Sequence, residues 1–285
     1  MPVCYYSTSS IEPVSPGVVV KKAHQLGDES YDKRFANNFS VERQILERLG
    51  KHPRIVRYVG LQEDGGILLG EASHGNLQAY LDERHASIPA GQRLLWCRQV
   101  AEAVVFIHSR GVLHSDLRPG NVLVHETAPG VRGLLLADFG GSVCEELGLD
   151  GLSLPDGPFY SPVFEWQSSV LLDVFGMASI FYTILTGRWP YKPTPGRFQK
   201  VDDRLEWEDK VVYPNFKLEK FPDDVTDLPA GDVILACWKR EFATDKDALA
   251  ALDRYLDGVE VRGDKCAEPR AVTEEEGGRD ESMAT

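Results

Sequence analysis

The run His114-Ser115-Asp116-Leu117-Arg118-Pro119-Gly120-Asn121 sets a carboxylate and an amide ahead of the apolar triplet Val122-Leu123-Val124. Seventeen positions after Asn121 comes Asp138-Phe139-Gly140, behind the apolar run Leu134-Leu135-Leu136. Two acids and an amide at loop positions flanking short strands suit phosphoryl transfer from a nucleotide. That reaction needs a hard cation held by oxygen ligands, a role open to Asn121 and Asp138. It also needs a carboxylate that orients the attacking hydroxyl and takes its proton, a role open to Asp116.

Positioning such a set takes strands and helices in a definite order. Val18-Val19-Val20 is a β-branched run after the turn Ser15-Pro16-Gly17 and reads as a strand. Apolar Val41, Ile45, Leu46 and Leu49 have helical spacing, so a helix is expected over 39–49, with Ser40 as its cap. Strands are expected over 55–61 and 67–69, split by the turn Glu63-Asp64-Gly65-Gly66. The chain then changes character. Helices are expected over 76–84, 92–109 and 171–186, with short strands at 122–124 and 134–136 between the last two. The apolar run Val174–Leu185 is too short to span a bilayer and reads as a buried core helix. A small strand-rich part (1–72) thus precedes a larger, mainly helical part (73–260), with 261–285 as an acidic, apolar-poor tail expected to be disordered.

This ordered set resembles the eukaryotic protein kinase family, from about Cys4 to Leu256. The family's catalytic loop reads H-R-D-L-x-x-x-x-N and its metal loop D-F-G. Val18-Val19-Val20-Lys21 is similar to V-A-I-K, and Glu42 falls where the family's N-lobe helix pairs a glutamate with that lysine. His52-Pro53-Arg54-Ile55-Val56 is similar to H-P-N-I-V, and Leu68–Ser73 to the hinge that binds adenine. Asp173–Ala178, Leu185-Thr186-Gly187 with Pro190-Tyr191, and Cys237-Trp238 resemble the C-lobe pattern. The resemblance implies an α+β, bilobal protein-kinase-like fold with a β-rich N-lobe and a helical C-lobe. It implies ATP and Mg²⁺ as cofactors and transfer of the γ-phosphate to Ser/Thr hydroxyls of a protein substrate. By resemblance Asp116, Lys21 and Arg118 are catalytic. Lys21, Glu42, Val14, Glu71, Ser73 and Leu123 bind the nucleotide, and Asn121 and Asp138 hold metal. Lys22 is a rival for Lys21, because only one of two neighbours on a pleated strand can face the nucleotide. A nucleotide-binding scaffold without turnover is the first alternative function. A small-molecule phosphotransferase of the aminoglycoside or choline type is the second.

Several positions depart from the family. Its glycine-rich loop is replaced by Ser7-Thr8-Ser9-Ser10-Ile11-Glu12-Pro13-Val14, with Ser7, Ser9 and Glu12 where glycines stand. Glycine lets backbone amides approach phosphates closely, and Glu12 is expected to repel a triphosphate. Ser115 replaces the arginine that receives a phosphorylated activation loop, so activity is not expected to depend on that switch. Hydroxyls in the activation segment are Ser142, Ser153, Tyr160 and Ser161. Glu165 closes a stretched A-P-E motif, and the late arginine that pairs with it is missing. Gly70 is expected at the gatekeeper position, leaving a pocket open behind the adenine. A one-residue slip puts Leu69 there instead.

The charge bounds the partners. Among 285 residues, 31 Lys and Arg face 44 Asp and Glu, a formal charge of −13. Duplex nucleic acid and anionic membrane both need a basic face, so neither is expected as a partner. The five scattered cysteines form no C-x-x-C pair, and the first residues carry no signal-peptide pattern. A cytoplasmic or nuclear location is therefore expected. Residues 267–285 carry −4 of the charge, which leaves −9 elsewhere and suggests a basic protein substrate. Removal of residues 262–285 should leave the melting temperature unchanged in differential scanning calorimetry. Loss of cooperative unfolding would make the tail part of the fold.

Overall fold

Five antiparallel strands build the first part of the chain, in the order β1 (Cys4–Tyr5), β2 (Ser9–Ser15), β3 (Val18–Ala23), β5 (Ile67–Gly70), β4 (Tyr58–Leu61). This computed structural model describes residues 4–5, 9–24 and 27–261. Ser7 and the acidic tail lie outside them. One helix, α1 (Glu29–Leu49), packs against the sheet. The larger part holds α2 (Leu77–Arg84), α3 (Ala90–Ser109), the hairpin β6 (Val122–Ala128) and β7 (Val131–Leu136), and the small ladder β8 (Val143–Cys144) with β9 (Leu149–Asp150). Then follow α4 (Val170–Thr186), α5 (Val201–Trp207), α6 (Tyr213–Lys217), α7 (Gly231–Trp238) and α8 (Asp245–Val261). The chain is therefore α+β, with a sheet-bearing lobe followed by a larger helical one.

Helix α1 starts ten residues earlier than its apolar spacing predicts. Asp28 caps it, its Oδ1 accepting from the amides of Ser30 (2.9 Å) and Tyr31 (3.2 Å). Glu29 and Asp32 suit the positive end of the helix dipole. Ser40 is thus no cap but an interior residue whose Oγ accepts from Gln44. The strand expected over 55–61 is shorter, beginning at Tyr58. Ile55 and Val56 leave the sheet because Val56 N–H donates to Leu136 O (2.9 Å) and Leu136 N–H to Arg54 O (2.8 Å). This staples the first lobe to β7, two residues before Asp138.

Helix α4 runs through the middle of the helical lobe, buried from Leu172 to Leu185. Such a helix is apolar all round because it has no water-facing side. The indole of Trp238 in α7 donates to Ser179 Oγ (2.9 Å), satisfying both buried polar groups. Cys97, Cys144 and Cys237 are buried and free. Among the described residues, no helix is long and apolar enough to cross a membrane.

One ionic knot holds three of these helices. His108 in α3 places Nε2 2.9 Å from Asp173 of α4 and Nδ1 3.3 Å from Asp245 of α8, all three side chains buried. Burial alone would push His108 down. The hydrogen bond to Asp173 and the charges of Asp173 and Asp245 outweigh it and hold the imidazole up to about 9. Its pKa is raised relative to an ordinary 6.5, so the stabilisation is complete below pH 6.5 and is lost as pH climbs through 9. A shift of that size corresponds to about 3 kcal/mol. The stability gap between wild type and His108→Gln, measured by urea unfolding, should therefore narrow steadily between pH 6.5 and 10. A gap independent of pH would remove the charged imidazole from the account.

Candidate active site

Between the lobes lies a cleft of about 990 Å³, and Lys21, Glu42, Asp116, Arg118, Asn121 and Asp138 all line it. Lys21 reaches it because β3 alternates: Val19 and Lys21 face the cleft, while Lys22 points outward to Asp64 (3.1 Å) and Glu12 (3.8 Å). The Lys21 ammonium sits 2.6 Å from Glu42 and 2.8 Å from Asp138. Burial pulls its pKa down, but the two carboxylates overcome this and raise it. Burial pushes Glu42 up against the pull of Lys21. It pushes Asp138 up as well, but Lys21 and Arg118 prevail and hold that carboxyl below its usual range.

The loop from His114 to Asn121 hangs from Asp173. One carboxylate oxygen accepts from His114 N–H (2.7 Å), the other from Ser115 N–H (2.9 Å). Those bonds secure Ser115 at φ 65°, a left-handed conformation costly for a side-chain-bearing residue. Asp138 is left-handed too, at φ 64°, where the chain turns out of β7. Phe139 is fully buried, its ring 5.1 Å from that of His114, whose Nε2 meets Ala137 O (3.1 Å). The two loops are therefore locked to each other.

Asn121 Nδ2 donates to Asp116 O (2.8 Å) and Oδ2 (2.9 Å). Two acceptors on that side require the NH₂ group there, which leaves Oδ1 as a metal-compatible oxygen. Arg118 lies 3.2 Å from Asp116. Burial pushes Asp116 up to about 7; Arg118 and Asn121 oppose the shift while Asp138 adds to it. Such a carboxylate is poised to take a proton near neutral pH. Asp138 keeps a side chain 42% exposed beside the buried Lys21, so an oxygen remains for a cation. The donor set is all oxygen and fits Mg²⁺. Among the described residues, no cluster of three or more His, Cys, Asp or Glu could hold a metal by itself.

Helix α1 is anchored from outside as well. Arg48 pairs with Glu146 and donates to Arg110 O (2.6 Å), and Asn37 Nδ2 donates to Asp150 O (2.9 Å). The β8–β9 segment thereby holds the helix that carries Glu42 at its middle and at its C-terminal end. Ser142, Tyr160 and Ser161 in this region are buried. Ser153 lines the cleft.

Other expected residues sit differently. Val14 is 48% exposed on β2 and does not line the cleft. Ile11, paired with Lys21 across the hairpin, lines it instead with Ser9. Glu12 faces away toward Lys22, so it does not repel phosphate in the cleft. Leu123, Glu71 and Ser73 do line the cleft. The Glu71 amide, however, donates to Gly17 O (3.0 Å), and the Ser73 amide to His125 Nδ1 (3.4 Å). Leu69 and Gly70 both line the cleft. Leu69 pairs with Val19 and is buried, whereas a Cβ on Gly70 would run into Arg57 at 3.1 Å, which favours the one-residue slip that puts Leu69 at the gatekeeper position. The back of the cleft is therefore closed by leucine.

Motif spacing missed Ile11, His108, Asp245 and the cluster of Asp156, Arg204 and Glu208. Counting register back from the Ser15-Pro16-Gly17 turn would set Glu12 opposite Lys21; the bulge between Pro13 and Ser15 shifts the pairing by one and brings Ile11 there instead. Nothing local marks the others.

Residues 14–242 match the protein kinase domain family. The chain is 28% identical over 210 residues to the probable serine/threonine-protein kinase gdt4 of Dictyostelium discoideum, covering 69% of this chain and 12% of that one. It is 28% identical over 190 residues to the probable serine/threonine-protein kinase zyg-1 of Caenorhabditis elegans (61% and 26%). To the serine/threonine-protein kinase PkaA of Streptomyces coelicolor it is 31% identical over 170 residues (56% and 30%). The match thus spans less than a third of each of these relatives.

Truncating Leu69 to Ala should open the back of the cleft at a cost of about 2 kcal/mol in stability. Isothermal titration should then show tighter binding of N6-benzyl-ATP in Leu69→Ala, and no gain in Gly70→Ala. Tight binding of the analogue by the wild type that is lost in Gly70→Ala would restore Gly70 as gatekeeper.

Proposed function

The chain belongs to the protein kinase family, and on that premise we propose that it is an ATP-dependent kinase transferring the γ-phosphate to Ser or Thr hydroxyls of a protein substrate. One observation supports this most: Lys21 stands between Glu42 and Asp138, at 2.6 and 2.8 Å, in the same cleft as Asp116 and Asn121. A buried cation bridging two acids is costly to build without function. The names of its relatives support Ser/Thr specificity.

In this reading Lys21 holds the α- and β-phosphates, kept in place by Glu42. Val19, Ile11 and Leu123 give the adenine an apolar slot. Asn121 and Asp138 would hold Mg²⁺, which supplies neutralisation of the phosphate charge. Asp116 orients the substrate hydroxyl and takes its proton as that oxygen bonds to the γ-phosphorus. The bond from phosphorus to the β–γ bridging oxygen breaks, and ADP leaves. Arg118 stabilises the charge on the moving group, as a guanidinium can through two parallel hydrogen bonds.

Ser9 and Ile11 in place of a glycine-rich cover favour a scaffold that binds nucleotide without turnover, and one experiment separates the two. Radiolabelled ATP is offered with dephosphorylated casein to wild type, Asp116→Ala and Lys21→Met. Asp116→Ala should lose at least about 10²-fold in transfer while keeping its thermal shift with Mg-ATP. Lys21→Met should lose both. A wild-type thermal shift without any transfer selects the scaffold.

A further inference from the structure

The late arginine that would tie down Glu165 is missing from the sequence, and Glu165 is exposed. Arg240, the nearest candidate, is spent on Glu219. Yet the segment before Glu165 runs beside the catalytic loop. Gly176 in α4 shows how tightly: a Cβ there would meet Leu117 Cβ and Leu117 O at 3.1 Å and Phe159 O at 3.5 Å. Something must hold residues 156–159 in that slot.

The structure assigns this task to Arg204 of α5, as a positioning residue that fixes the Asp156–Phe159 strip beside Asp116 so that a peptide substrate can dock. The inference rests on the kinase reading and deepens it. Arg204 Nη1 lies 2.9 Å from Asp156 and 3.5 Å from Glu208. Glu208 is 2% exposed, and one of its carboxylate oxygens is buried with no hydrogen bond. It lies directly beneath Gly157, where any Cβ would come within 2.6 Å of that oxygen. Gly157 has φ +58° and gives its N–H to Tyr213 Oη (3.1 Å). Phe159 packs edge-on against Trp189 (5.9 Å).

Three groups from the region after α4 therefore grip one short strip: Arg204 by charge, Tyr213 by hydrogen bond and Glu208 by shape. The strip matters to chemistry because Asp156 is near enough for its charge to act on both Asp116 and Arg118. Of the ion pairs among the described residues, Arg204–Asp156 alone joins residues 151–165 to the helices beyond α4. It does what an ion pair from Glu165 would do elsewhere in the family, from a different helix.

The test uses full-length protein and the best substrate from a degenerate Ser/Thr-centred peptide library. Arg204→Met should raise the peptide KM at least tenfold, with the ATP KM and the Mg-ATP thermal shift unchanged. Arg204→Lys, which keeps a charge within reach of Asp156, should recover most of the loss. Asp156→Asn should match Arg204→Met, and the double variant should be no worse than either. Additive losses would mean that Arg204 touches the peptide itself, and would overturn the positioning role, as would an unchanged peptide KM. Should Arg204→Met fail to fold, the Lys and Asn variants decide alone: a wild-type peptide KM in Asp156→Asn overturns the inference. Absence of transfer by the wild type overturns the kinase reading and this inference together. Transfer with no KM effect overturns only the inference.

Discussion

A single ammonium group organises the site. Lys21 is buried and would not carry its charge there without partners. It is given two, Glu42 from the helix of the first lobe and Asp138 from the loop behind β7. Satisfying it brings sheet, helix and metal loop to one point, so local electrostatics and global architecture are the same requirement. One cation between two acids also leaves a surplus of negative charge facing the cleft. That surplus suits an incoming divalent cation better than a bare triphosphate.

A second constraint works from below. Asp173 accepts from two consecutive backbone amides and from His108, and His108 reaches on to Asp245. A left-handed serine in the catalytic loop is affordable only where the surroundings over-determine it. Three helices supply that over-determination through one imidazole. The strained loop and the buried ionic knot are thus two ends of one arrangement, and neither makes sense without the other.

Much of this was legible in the sequence, and the illegible parts share a cause. Motif order located Lys21, Glu42, Asp116, Asn121 and Asp138, because residue type and spacing carry chemistry directly. Facing was harder. Side chains alternate along a strand, so a shift of one residue turns every one of them over. The sheet contains two such shifts, between Pro13 and Ser15 and between Tyr58 and Gly60. Val14 and Glu12 both lie on the strand that carries the first, and each was expected on the wrong face. The early start of α1 was hidden for another reason: its first turns are polar, and only the cap at Asp28 announces them. The Arg204 cluster was invisible because it joins residues 48 positions apart.

The grip of β8–β9 on α1 has a further meaning. Arg48 with Glu146, and Asn37 with the Asp150 carbonyl, use only unmodified side chains and backbone. At position 115 a serine stands where a cation would be needed to greet an added phosphate. The helix bearing Glu42 is thus held inward from the moment the chain folds. The pairing of Glu42 with Lys21 therefore rests on packing that the unmodified chain already supplies.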